Sequence, residues 1–344
     1  MQMSFLARAR RFLTPRAVSR WMIVASAFAA PLVPVSAWAC ACGCGIFDVG
    51  AQTLPAENGL LVWFRYAYMN QNQNWEHGGK GPAADNHDKE INTSFYTPGA
   101  AYAVNEDWTV MGELPVYVRQ LTTTDDGTVA GPPGSIYTGH DTSPGDLQLS
   151  AVYTGFSPGL STGLSFGVKL PTGDYKGPAG PLGGLEIDRD TLPGTGSTDL
   201  MLGGYHSGAL TNDQALTYFV QGRYQFAVLT RDSYRPGNEL DAASGLSYDF
   251  GANGLFDKVA PVIQLIGSYR LHDTGANADP LNSGYKRLYI APGIDLQIDR
   301  FRVFADVELP IYQYANAAAS AGIEGTAGQL VAPALYELEV AYAF

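Results

Sequence analysis

The 344-residue chain is short of charge, of cysteine and of long apolar runs, and each shortage removes a class of protein. Beyond residue 39 no stretch approaches the roughly 18 consecutive apolar residues that a transmembrane helix needs, so a helical membrane protein is excluded. Charged residues make up 16% of the chain, with 21 Lys plus Arg against 33 Asp plus Glu. That acidic balance argues against nucleic acid and anionic polymers as partners. No Cys-x-x-Cys-His haem sequence, phosphate-cradling Gly loop or nucleophile elbow is present, so an enzyme is not expected.

The three cysteines stand together as Cys40, Cys42 and Cys44, directly behind an export leader. Residues 1–39 supply its parts: Arg8, Arg10, Arg11, Arg16 and Arg20 as the basic region, residues 21–30 as the apolar core, and Ala37-Trp38-Ala39 as a small-x-small cleavage site. Its removal leaves 16 basic residues (21 less these five) against 33 acidic ones. In an oxidising compartment an odd cysteine count leaves at least one thiol free, metal-bound, lipidated or paired with another chain. Alternate residues of an extended segment have Cα atoms about 6.5–7 Å apart, at the limit for a disulfide. Three readings stay open: a structural or incidental role, a soft metal ion such as Cu(I) or Zn on Cys40, Cys42 and Cys44, and lipidation of Cys40. Residues 40–58 read as a periplasmic lead-in or small plug.

From residue 59 onward the dominant signal is alternation. In the last nine residues Tyr336, Leu338, Val340, Tyr342 and Phe344 fall on one face, and Glu337, Glu339, Ala341 and Ala343 on the other. Alternation that closes on an aromatic resembles the C-terminal signal of outer-membrane barrels, with Tyr342 and Phe344 as the positions read by the insertion machinery. About twelve such stretches can be marked, beginning near residues 60, 91, 108, 146, 160, 198, 216, 239, 259, 285, 301 and 333. The connections between them alternate long and short, clearly at first and more weakly later, which puts both termini in the periplasm. The expected fold is all-β: a transmembrane antiparallel up-and-down β-barrel of about twelve strands over residues 59–344.

The polar face of these strands carries charges of both signs. A charge facing acyl chains at mid-membrane costs about 2–4 kcal/mol, so Arg65, Glu113, Arg119, Lys169, Arg223 and Arg270 are expected to line the lumen and tune its selectivity. Mixed signs point to a salt-bridged, partly filled interior rather than an ion-selective ring. Leu-Pro pairs recur at 114–115, 170–171 and 309–310. Proline cannot donate to a sheet ladder, so these mark strand ends or bulges, or a weakened wall through which an apolar solute slips into the bilayer. An outer-membrane phospholipase also uses twelve strands, but it needs His-x-Ser on one face. Here His206 and Ser207 are adjacent and point to opposite faces. His77, His87 and His140 stand beside acidic residues in long connections and read as solvated loop histidines.

Three segments carry a more specific signal: GDLQLSAVYTGF at 145–156, VKLPTGDY at 168–175 and GTGSTDLMLGGYHSG at 194–208. Together they resemble the outer-membrane barrel family named for the phenol-degradation meta-pathway protein, which is related in style to FadL-like channels for hydrocarbons and fatty acids. The resemblance covers the middle third, roughly residues 144–250, and the cysteine run has no counterpart in it. It implies passive passage or binding of small solutes, hydrophobic or aromatic ones included. The partners it implies are outer-membrane lipid and lipopolysaccharide, the barrel-insertion machinery and small solutes, with no cofactor beyond the soft ion considered above. The alternative is a barrel-anchored metal-handling or redox accessory acting through Cys40, Cys42 and Cys44.

Overall fold

The structure, a computed structural model, describes residues 59–124, 134–176, 191–318 and 327–344. The expected export leader and the expected lead-in with Cys40, Cys42 and Cys44 lie outside the described residues.

Alternation becomes a wall of twelve antiparallel strands closed on itself. In chain order they are β1 (Leu60–Gln71), β2 (Asp88–Ala103), β3 (Trp108–Glu113 and Val116–Thr124), β4 (Ile136–Pro144 and Leu147–Tyr153), β5 (Thr162–Leu170) and β6 (Thr198–Ala209). They continue as β7 (Leu216–Leu229), β8 (Glu239–Tyr248), β9 (Lys258–Arg270), β10 (Tyr285–Ile298), β11 (Phe301–Ala315) and β12 (Leu335–Ala343). Each pairs with its neighbours in sequence. The ring shuts where β1 runs against β12, from Leu61 opposite Ala343 to Met69 opposite Leu335. Closure satisfies the backbone donors and acceptors that an open sheet edge would leave bare in hydrocarbon.

The period of two decides which side chains meet lipid. On β1, Leu60, Val62, Phe64, Tyr66 and Tyr68 face out while Leu61, Trp63, Arg65, Ala67, Met69 and Gln71 are buried inside. β12 repeats the rule, with Tyr336, Leu338 and Val340 exposed and Glu337 and Glu339 buried. Aromatic rings gather where strands reach the periplasmic turns: Trp108 on Tyr153, Tyr248 on Phe250, and Phe301, Tyr342 and Phe344 in sequence, with centroids 4.7–5.0 Å apart. Such rings suit the polar–apolar boundary of a bilayer. The Phe344 amide still bonds the Leu60 carbonyl, at 2.9 Å.

Two expectations change. The fourth strand starts at Ile136, ten residues before the place marked by alternation near 146, because its outer half, IYTGHDTSP, pairs with β3 without an apolar face. The first outer connection is also not irregular throughout. It contains the short strands Gln73–Glu76 and Gly79–Lys80, which join Gln329–Val331 in a three-stranded sheet of their own. The Leu-Pro pairs all mark breaks in the ladder. Leu114-Pro115 splits β3, Leu170-Pro171 ends β5, and Leu309-Pro310 lies where β10 and β11 shift register.

Candidate functional site

All six charged residues singled out from the sequence point into the barrel and are buried: Arg65, Glu113, Arg119, Lys169, Arg223 and Arg270. Two of them, Arg65 and Glu113, form an ion pair with each other. Arg65 sits at the level of Glu339 on β12, and its guanidinium reaches Glu339 at 3.1 Å, Glu113 at 3.5 Å and Glu337 at 3.6 Å. Arg223 on β7 pairs with Asp241 on β8 at 2.7 Å, and Arg270 at the outer end of β9 pairs with Asp273 at 2.6 Å. Nearer the periplasm Arg302 and Lys258 share Asp295, at 2.6 and 2.8 Å. Arg119 bonds the Thr93 hydroxyl at 3.1 Å and lies over the Tyr117 ring. The interior thus holds both signs of charge in contact rather than one sign.

Carboxylates of Asp306, Glu308 and Glu337 also converge within 4.8 Å of one another. Arg65 reaches Glu337 and the Gln264 amide donates to Asp306 at 3.0 Å, so protein donors already serve this cluster.

Sequence reasoning missed the apolar part of the lumen. Met69, Ile91, Phe95, Leu121, Phe219, Val262, Ile266 and Phe304 are buried on inward faces and belong to one contiguous cluster with Tyr117 and Tyr289. Phe95 packs edge-on against Tyr117 with centroids 5.1 Å apart. Towards the periplasm Leu61, Trp63 and Ala101 form a second inward group. Trp63 lies across Gly99, where an added Cβ would sit 2.2 Å from the indole, so only glycine admits it. The available signal was the mixing of residue types on one face: Phe219 shares parity with Gln221 and Arg223.

Among the described residues the outer part of the wall is paired on one side only beside β4. The inner half of β4, Leu147–Tyr153, has strands on both sides, whereas its outer half, Ile136–Pro144, pairs among the described residues with Val116–Thr124 of β3 alone. β5 stops at Leu170, opposite Leu147. Among the described residues no strand lies against the free edge of Ile136–Pro144. At the foot of this seam Asp146, in the break of β4, holds both ends of the outer connection that follows β5. Its carboxylate accepts from the Gly173 amide at 3.0 Å, from the Thr195 amide at 3.1 Å and from the Lys169 ammonium at 2.6 Å. Lys169 is also 3.4 Å from Asp199. Gly173 and Gly194 cross back to back, and a Cβ on Gly194 would meet Gly173 backbone at 2.5 Å. The residues that carried the family resemblance, Asp146, Lys169, Gly173, Thr195 and Asp199, therefore build this one buried knot.

His206 and Ser207 do point to opposite faces. His206 lies outside the barrel wall between the Thr162 and Tyr218 hydroxyls, at 2.8 and 3.0 Å.

No family profile and no curated protein sequence matches the chain. Among solved structures, an outer-membrane channel from Pseudomonas putida aligns over 85% of this chain and 97% of its own, with a TM-score of 0.58 at 10% identity. The toluene transporter of Ralstonia pickettii (84% and 90% covered, TM-score 0.38, 10% identity) and a FadL homologue of Pseudomonas aeruginosa (83% and 90%, 0.36, 11%) also align. What the Pseudomonas putida channel shares is the fold, and a closed barrel with an apolar outer belt places the chain in the bacterial outer membrane.

Proposed function

We propose that the barrel passes small apolar molecules through the outer membrane without energy coupling. The observation that carries this reading is the inward-facing apolar cluster. A channel for hydrophilic solutes gains nothing from Met69, Ile91, Phe95, Phe219 and Ile266 on its inner wall, whereas an apolar solute is stabilised by each apolar surface it covers. The seam beside Ile136–Pro144 supplies a side door, since an apolar solute that leaves sideways avoids the aqueous exit. The ion pairs of Arg65, Glu113, Lys169, Arg223 and Arg270, with Arg119, set the width and charge of the passage and discourage large hydrated solutes.

Two measurements test it together. Cells with an intact lipopolysaccharide leaflet, expressing the protein, should take up a hydrophobic aromatic dye faster than controls, and Phe95→Arg with Ile266→Arg should abolish that gain. Liposome swelling with small sugars should remain slow. Fast sugar entry with no gain for the dye would replace this reading by a general diffusion pore.

A further inference from the structure

Lys286 breaks the rule that the cations in register on the barrel wall otherwise follow. Arg65, Arg119, Lys169, Arg223, Lys258, Arg270, Arg287 and Arg302 have inward parity, whereas Lys286, second residue of β10, is exposed on the outer face. Among the described residues it has no ion pair or hydrogen bond. Its cross-strand neighbours are Tyr269 on β9 and Tyr314 on β11, and its Nζ lies 5.5 Å from the centroid of each ring.

Height along the wall gives this placement a meaning. Below Lys286 the outward face of β10 is Leu288, Ile290, Pro292, Ile294, Leu296 and Ile298, without a charge. About ten residue steps at about 3.3 Å each, tilted by roughly 40°, span about 25 Å, the height of a barrel's apolar belt. Lys286 therefore stands at the boundary between the outer-leaflet acyl chains and their headgroups. His77 leans in from the first outer connection, its Nδ1 3.2 Å from the Tyr314 hydroxyl, and is itself exposed. Two phenol hydroxyls, an imidazole and an ammonium thus share one rim position above a greasy column.

We propose that this cluster binds the phosphate of an outer-leaflet lipid, lipid A in an outer membrane, with the acyl chains lying along the β10 column. A lone ammonium held over two aromatic faces keeps its donors free for an anion, and a phosphate adds charge-assisted hydrogen bonds. The site lies on the outside of the barrel and does not depend on what the lumen carries.

The test uses the full-length protein in detergent, native mass spectrometry, and three probes: bisphosphorylated lipid A, the same lipid stripped of phosphate, and phosphatidylglycerol. Wild type should retain bisphosphorylated lipid A about tenfold better than either other lipid, a difference of about 1.4 kcal/mol. Lys286→Gln should lose that preference and Lys286→Arg should keep it, with all three proteins melting alike when lipid-free. Equal retention of phosphorylated and stripped lipid, equal retention of phosphatidylglycerol, or a preference that survives Lys286→Gln would each overturn the assignment.

Discussion

Arg65 and Glu339 face each other across the join that closes the barrel, guanidinium to carboxylate at 3.1 Å, with their Cα atoms in register between the first strand and the last. The pair is buried, so its members are unequal in what they leave behind. Arg65 also serves Glu113 and Glu337, and its loss takes one cation from three carboxylates at once. Arg65→Met is expected to destabilise the barrel by about 3–5 kcal/mol, and Glu339→Gln by about 1.5–3 kcal/mol. Urea titration of the refolded protein in lipid would measure both, and equal costs would contradict the sharing of Arg65 among three partners.

Outward parity is tested at β12. Leu338 is exposed near the middle of that strand and Tyr342 lies near its periplasmic end. Leu338→Arg should cost about 2–4 kcal/mol in a bilayer, and Tyr342→Arg about 0–1 kcal/mol. A reversed order, or no cost at Leu338, would mean that this face does not meet acyl chains.

The knot at Asp146 is expected to control the seam. Asp146→Asn weakens its hold on Lys169 and on the Gly173 and Thr195 amides. Hydrogen exchange at those two amides should speed up by about a hundredfold, the equivalent of roughly 3 kcal/mol. Uptake of the aromatic dye should rise with it. Faster exchange without faster uptake would show that the knot is structural and that the solute does not pass beside it.

Arg223 faces Asp241, with Glu239 one inward position away and tied to the same Ser268 hydroxyl. Arg223→Gln removes the cation from this acidic group. In planar bilayers the reversal potential under a salt gradient should move towards cation preference. An unchanged potential would exclude Arg223 from the conducting path.

Much of this architecture was legible because membrane barrels obey a short rule. Lipid forbids charge on one parity, so Glu337 and Glu339 locate the inside of β12, and the strand marked near residue 285 does begin at Tyr285. The outer half of β4 escaped because IYTGHDTSP has no apolar face to reveal it; only its hydrogen bonds to Val116–Thr124 define it as strand.

The chain's own order of residues determined that it forms a closed wall of about twelve strands, with Arg65, Glu113, Arg119, Lys169, Arg223 and Arg270 turned inward, since parity along one strand is a local property. Tertiary structure alone decided which charges meet, that Phe95, Phe219 and Ile266 join in one apolar cluster, that Asp146 gathers both ends of a distant connection, and that Lys286 stands between two tyrosines. Those facts depend on the register between strands far apart in sequence, and register is fixed only when the whole ring closes.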